Sequence, residues 1–402
     1  MKRMIALMLC FILAFTLCPA VFAVGDGTEP EEEVCEIGGT GYATLDAALT
    51  AVPSGETIKL LEGIDYSSGI VIEDKSITFD LNGFNLNVLN TTGGETIEEN
   101  SGLYVKGNAA VSLEGEGEFN VTGAWYGVFA ECESENEEIA SVTVTNATGI
   151  ERDGVAAQSS KITVRGNVTS SGAGSRGVWA SYENAEVIVE GNVYADGDMS
   201  VGVYADTVSS VTANGSVIVN GADSIGVRAC EDADVTVDGD VTVSGSDCVG
   251  AFLLSEAGKA SIIAIKGGID AERYALIETV DGECEYTFEE GRVNTDMSGD
   301  NRYYTEDYES YVYVALFAGG SGTAEDPHLI SRGTQLYNIG DYDFIDMHYK
   351  QIADIDLGGY FSLGVGWEPI GNGEVPFIGT YDGDGYTISN LFMNHRDSDN
   401  IG

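Results

Sequence analysis

The chain has 402 residues, with 66 acidic against 18 basic side chains and a formal charge of −48. A field of that sign repels nucleic acid, anionic lipid and acidic polysaccharide alike, and it suits a solvated surface in a salty environment. Seven cysteines, of which the five at positions 35, 132, 230, 248 and 284 follow the first 23 residues, form no disulfide framework, and no CxxC pair exists to hold a structural zinc.

Residues 1–23 read as a secretory signal. Lys2 and Arg3 form the basic start, residues 4–22 are almost wholly apolar, and Val21 and Ala23 occupy the two cleavage-determining positions. Pro19 breaks the apolar stretch, which favours cleavage over a retained anchor, and Leu17 and Pro19 around Cys18 argue against a lipoprotein. No other segment is apolar enough to span a bilayer. Residues 24–36, with Glu31, Glu32 and Glu33, read as an acidic disordered leader.

Residues 37–292 are expected to form a right-handed parallel β-helix. Thr44 starts a short helix whose Leu45, Ala48, Leu49 and Val52 share one face, placed to plug the end of the stack. Strands are expected around Ile58, Ile70 and Ile77, then around Leu103, Val111, Val121, Val128 and Val142. Residues 131–138 make a very acidic corner.

The repeat is clearest in the middle. Gly154, Gly177, Gly202, Gly226 and Gly250 stand 23, 25, 24 and 24 residues apart, and each opens a short strand of the form Gly-Val-x-Ala or a close variant. Second strands follow at Ile162, Val187, Val211 and Val235, and third strands at Val168, Val193, Val217 and Val241, with glycines marking the corners. Three strands make one coil of about 24 residues, and only stacking buries its apolar faces. Equivalent residues then form columns, Val155 with Val178, Val203 and Val227, and Ala157 with Ala180, Ala205 and Ala229. The hand follows from the preference of parallel crossovers. A β-sandwich would not keep this three-strand order, a propeller blade needs about twice the period, and leucine-rich repeats need leucines and asparagine that are absent. Residues 293–319 read as a transition and linker, and residues 320–402 as a separate β-rich module.

No catalytic or cofactor-binding residue emerges, and no metal site can be assigned. Arg152, Lys161, Arg165, Arg176 and Arg228 do not share one face by their place in the repeat. Asp198, Asp223 and Asp247 occupy related corners, where turn chemistry explains an aspartate better than glycoside cleavage does. His328, His348 and His395 are isolated from one another in sequence, and Asp382 and Asp384 lack the spacing of a calcium loop. Calcium therefore has no specific motif to carry it. Cys230 and Cys248 are offset by six strand positions, roughly 20 Å, and should stay unlinked. Trp179, Tyr194 and Tyr204 fall on outward positions where rings can stack on sugars.

Tyr42, Thr44 and Leu45, then Gly55-Glu56-Thr57-Ile58, then Ser76-Ile77-Thr78-Phe79-Asp80-Leu81-Asn82-Gly83, followed by the coils, resemble the start of pectate-lyase-like β-helix proteins on bacterial surfaces. Gly320-Ser321-Gly322-Thr323, Asp326-Pro327-His328-Leu329-Ile330, Trp367-Glu368-Pro369-Ile370-Gly371 and the stretch from Phe377 to Leu391 resemble the module that leads into GLUG-motif repeats. Ile401 and Gly402 fall where that motif would begin, so the sequence reads as truncated. The resemblance implies a large adhesin-like protein, secreted to the bacterial cell surface, whose partner is an extracellular glycan or a host surface. It supplies no catalytic residue. The expected function is a non-catalytic adhesin or stalk. A polysaccharide lyase or glycoside hydrolase on the same fold is the alternative, and a purely structural envelope protein the third reading.

Overall fold

The computed structural model describes residues 32–132, 139–256, 258–279, 285–288, 302–304, 310–340, 344–357, 367 and 369–393. The signal segment, most of the leader and of the acidic corner, Cys284 and His395 lie outside the described residues.

The chain folds as a parallel β-solenoid of about ten turns. Each full turn contributes one strand to each of three sheets, as in Val201–Ala205, Ser210–Ala213 and Val217–Asn220, before Ile225–Cys230 begins the next. In that order the first, second and third sheets hold 10, 13 and 9 strands. Pairing is parallel throughout the stack and antiparallel only at a few edge strands. The expected columns are met: Val155, Val178, Val203 and Val227 are in register, as are Ala157, Ala180, Ala205 and Ala229. Alternation sends these side chains inward, where they are completely buried. Each buried valine contributes about 1.5–3 kcal/mol through burial of apolar surface. The early coils are filled more bulkily, with the tilted rings of Phe79 and Phe119 packed at 5.2 Å between centroids.

One glycine column lies within the first-sheet strands. A Cβ on Gly202 would lie 2.3 Å from Val217 Cγ1 and 2.6 Å from the carbonyl oxygen of Gly226, and one on Gly226 would lie 2.3 Å from Val241 Cγ1 and 2.5 Å from the carbonyl oxygen of Gly250. This column therefore takes glycine because both the core valines and the next coil approach too closely for any side chain. A polar ladder missed in the sequence runs along the start of the third sheet. Asn120 donates from Nδ2 to Asn87 at 3.0 Å, and Asn146 donates to Asn120 at 2.8 Å. Further along, the Asn167 and Asn192 side chains accept the backbone N–H of Asn192 and Ser216, each at 2.8 Å. Asn87 and Asn120 thus bond side chain to side chain, while Asn146, Asn167 and Asn192 each satisfy a backbone donor on the next coil.

At the amino-terminal end the expected helix is present at Leu45–Ala51, with the Thr44 hydroxyl accepting the Ala47 N–H. Leu45, Ala48 and Val52 join the solenoid core. The end of the expected leader is ordered: Cys35–Ile37 pairs antiparallel with Thr40–Tyr42 and with Glu56–Leu60, and Cys35 is fully buried. This antiparallel edge covers a strand that would otherwise expose a parallel-pairing edge. At the other end the solenoid runs further than expected. Tyr311–Val314, assigned to the transition, pairs in parallel with Ile262–Ile265, because Val312 and Val314 continue the inward valine and isoleucine columns.

The carboxy-terminal module has its own core of Phe317, Ile330, Leu336, Ile339, Tyr349, Ile355, Leu357 and Trp367. It is also parallel. Tyr349 pairs with Tyr381 and Ile355 with Ile388, steps of 32 and 33 residues. Cys230 and Cys248 are unlinked as expected, Cys35 is likewise a free thiol, and all three are buried, as is Cys132. Cys230 is in register with Leu254, while Cys248 lies beyond the opposite end of that pairing.

Candidate binding face

The third residue of each Gly-Val-x-Ala strand points outward from the first sheet. In register these positions read Tyr104, Phe129, Ala156, Trp179, Tyr204, Arg228, Phe252 and Leu276. The first part is covered. Ile97 and Trp125 pack on Tyr104, Tyr126, Phe129 and Ala156. Ile97 is held there by a one-turn helix, Ile97–Asn100, closed by a capping box between Thr96 and Glu99. From Trp179 to Phe252 the rings and the Arg228 guanidinium are half-buried and reachable from solvent.

Cations gather on this face. Four of the five arginines between residues 32 and 279 stand on or beside the first sheet. Arg152 stacks on Trp125 at 4.3 Å and Arg176 on Trp179 at 3.8 Å. Arg228 lies 4.8 Å from the Tyr204 ring and 5.2 Å from the Phe252 ring. The five central cations do not share one face, as expected: Lys161 is on a second-sheet strand and Arg165 just after it, while Arg152, Arg176 and Arg228 lie by the first sheet at different places in the repeat. For Arg228 the signal was present, since it holds the same place after its glycine as Trp179 and Tyr204 do.

The arginines differ in their partners. Arg176 grips Asp153 from Nε at 3.0 Å and from Nη2 at 2.7 Å, and its backbone N–H adds a third bond at 2.9 Å. The Asp153 side chain is only 2% exposed, so burial pushes its carboxyl up, and Arg176 opposes that shift. Arg273 donates to the Asp247 carbonyl at 2.8 Å. Among the described residues Arg228 has no carboxylate partner, and its Nε is buried without a hydrogen bond. The acids near it are engaged elsewhere. Asp206 accepts from Trp179 Nε1 at 3.2 Å and from the Ser181 hydroxyl, and Glu231 accepts from Thr207 at 3.1 Å. Burial also pushes the Tyr204 phenol and the Cys230 thiol up, so both stay neutral and face each other at 3.5 Å.

The other sequence candidates separate. Tyr194 projects from the third sheet, in register with Thr169 and Ile218, away from Trp179 and Tyr204. Asp223 and Asp247 share a left-handed corner position, at φ 55° and 58°, with Met199 at φ 59°. Asp198 is one residue earlier, and its carboxylate accepts the Ala222 N–H at 2.9 Å. The three aspartates therefore do not form one row, and turn geometry accounts for them. His328 is stacked on Phe317 at 4.2 Å, with its pKa lowered by burial. His348 bonds to Thr380 at 2.7 Å, one register position away and so on the alternate face. Asp382 accepts the Asp384 N–H at 3.0 Å, closing a turn, and Asp384 pairs with Lys350.

A cleft of about 210 Å³ between the last coils and the module brings Asp240, Asp270, Asp354 and Asp356 near Arg332. Most of these carboxylates hold structure. Asp240 pairs with Arg332 and accepts the Gly268 N–H at 2.9 Å. Asp354 accepts from the Thr387 backbone and hydroxyl at 2.7 and 2.8 Å, which lowers its pKa, and Asp356 accepts from Asn390 at 2.7 Å. Among the described residues no three His, Cys, Asp or Glu side chains converge to hold a metal ion. No described helix is long and apolar enough to cross a membrane.

No family model matches the chain, and no solved structure matches it. A protein of Evansella cellulosilytica whose name describes a Gly-rich membrane protein is 42% identical over 89 residues, which is 22% of this chain and 10% of that protein. Halomucin of Haloquadratum walsbyi is 39% identical over 88 residues, 21% of this chain and 1% of that protein. The chain thus matches a tenth or less of the length of these relatives.

Proposed function

We propose that this chain is a cell-surface stalk that binds glycan along the outer face of its first sheet and does so without catalysis. The solenoid fold, together with a relative named as a membrane protein, fits a structural or surface protein. The signal-like amino terminus and the resemblance to pectate-lyase-like and GLUG-associated surface proteins support export. The observation that carries the binding role is the half-buried row Trp179, Tyr204, Arg228 and Phe252, which sets rings and a guanidinium one strand spacing apart, about 4.8 Å. Such a row offers flat apolar surface to the C–H faces of consecutive sugars and hydrogen-bond donors to their hydroxyls. A non-catalytic role is favoured because the corner aspartates serve turns and most carboxylates of the cleft serve structural bonds.

The test is glycan-array screening followed by calorimetry on the best ligand. Trp179→Ala and Tyr204→Ala are each expected to weaken binding about tenfold, the loss of one ring stack. Tyr194→Ala, on another sheet, is expected to leave affinity unchanged. Equal affinity of all three variants and the parent would reject this face. A reducing-end assay run on the same glycans establishes the lyase or hydrolase alternative if it detects cleavage.

A further inference from the structure

We infer that Arg228 is an acceptor for a single anionic group on an otherwise neutral glycan, a specificity that rests on the glycan-binding reading above. The inference starts from an imbalance. In a chain with 66 acidic residues, this arginine lies between two rings with no acid paired to it among the described residues. Its Nε is buried and unbonded. Arg176, which stacks on Trp179, is instead paired with Asp153 through Nε and Nη2. The nearest acids, Asp206 and Glu231, have their own donors. The Nε is closed off from solvent, but the two Nη groups are not, and they keep donors for an acceptor that a ligand brings.

The chemistry of the acceptor follows from the guanidinium. Its planar fork matches a carboxylate or a sulfate through two parallel N–H bonds, and the flanking Tyr204 and Phe252 rings lower the local polarity in which those bonds form. The whole-chain field limits how much charge the ligand can carry. A polyuronate laid along the stack would meet the repulsion of a −48 chain over its full length. One acidic residue at the end of a neutral glycan meets Arg228 at contact and adds only one charge to that repulsion. The ligand class is therefore a neutral glycan bearing one terminal acidic sugar.

The test uses the purified chain and glycans presented in pairs, each neutral chain with and without one terminal carboxylated or sulfated residue, sialyllactose and lactose among them. The parent protein is expected to bind the acidic member at least about tenfold more tightly, the worth of a charged hydrogen bond. The carboxylated and sulfated arms show which oxyanion is read. Arg228→Gln is expected to bring the ratio of the two affinities to about one, whatever the loss in affinity for the neutral member, and Arg228→Lys to keep a reduced preference. Equal binding of both members by the parent, or a preference that survives in Arg228→Gln, overturns the inference and leaves the glycan reading standing. Tighter binding of polygalacturonate than of any singly charged glycan overturns it as well. Binding of no glycan at all would instead remove the reading on which it rests. The comparison on the parent protein needs no variant, so poor folding of Arg228→Gln cannot hide the answer.

Discussion

Gly202→Val is expected to unfold the central solenoid, with a loss of about 3 kcal/mol or more at the first coil affected. The Cβ alone would stand 2.3 Å from Val217 Cγ1, 2.6 Å from the Gly226 carbonyl oxygen and 2.9 Å from Val219 Cγ2. None of the three can yield. The carbonyl belongs to the next coil, and Val217 and Val219 are fully buried in the third sheet. Opening the coil spacing at this strand would also break the ladder bonds on both sides, so the damage spreads to adjacent coils as in any one-dimensional stack. Gly63→Ala is the control, since its Cβ would meet only the Asn85 carbonyl, at 3.7 Å. Urea unfolding followed by far-ultraviolet circular dichroism should show a large drop in midpoint for the first and almost none for the second. Similar midpoints would contradict the close packing of the glycine column.

Arg176→Ala is expected to destabilise the protein by about 3–5 kcal/mol, because it strands the Asp153 carboxylate in the interior. Three bonds from Arg176 now compensate that charge. Burial raises the Asp153 pKa, so without Arg176 the folded state holds the proton to higher pH than the unfolded state does. The deficit should therefore be smallest at pH below the ordinary aspartate range, grow as pH rises from there towards the raised value, and level off above it. Arg176→Met combined with Asp153→Asn should recover most of the loss, since it leaves no buried charge. A deficit that does not change with pH would mean that lost packing on Trp179, and not the stranded carboxylate, carries the effect.

The fold was legible where the repeat is strict. Period-two alternation and the glycine spacing fixed both the sheets and the register of Val178 with Val203 and Val227, because a slip of one residue would turn each valine outward. The ends were less legible. Cys35–Ile37 is short and acidic next to Glu33, and only its antiparallel docking on Glu56–Leu60 gives it structure. Tyr311–Val314 is separated from its partner by a long stretch with no repeat spacing, so its valines could not be placed in a column beforehand. The asparagine ladder was hidden for a similar reason. Asn87, Asn120, Asn146, Asn167 and Asn192 are unevenly spaced in sequence and come together only through coils of unequal length.

The binding face was half legible. Trp179 and Tyr204 were placed outward by alternation, which the register supports. Arg228 was in view but counted as a scattered cation, because charge was read along the chain and not down the column. The buried state of Asp153 has no sequence signature. It follows from the corner before Val155–Gln158 folding over Arg176. Asp198 was aligned with Asp223 and Asp247 although it is one residue out of step, a difference visible only once the left-handed positions at Met199, Asp223 and Asp247 are known.

Hydroxyl-radical footprinting of the glycan-saturated protein tests the binding face most directly. Oxidation of Trp179, Tyr204 and Phe252 should fall together on saturation, while Tyr194 on the third sheet and Trp367 in the module keep their unliganded rates. Protection centred on Tyr194 or Trp367, with the first-sheet rings unchanged, would place the ligand elsewhere and contradict the account.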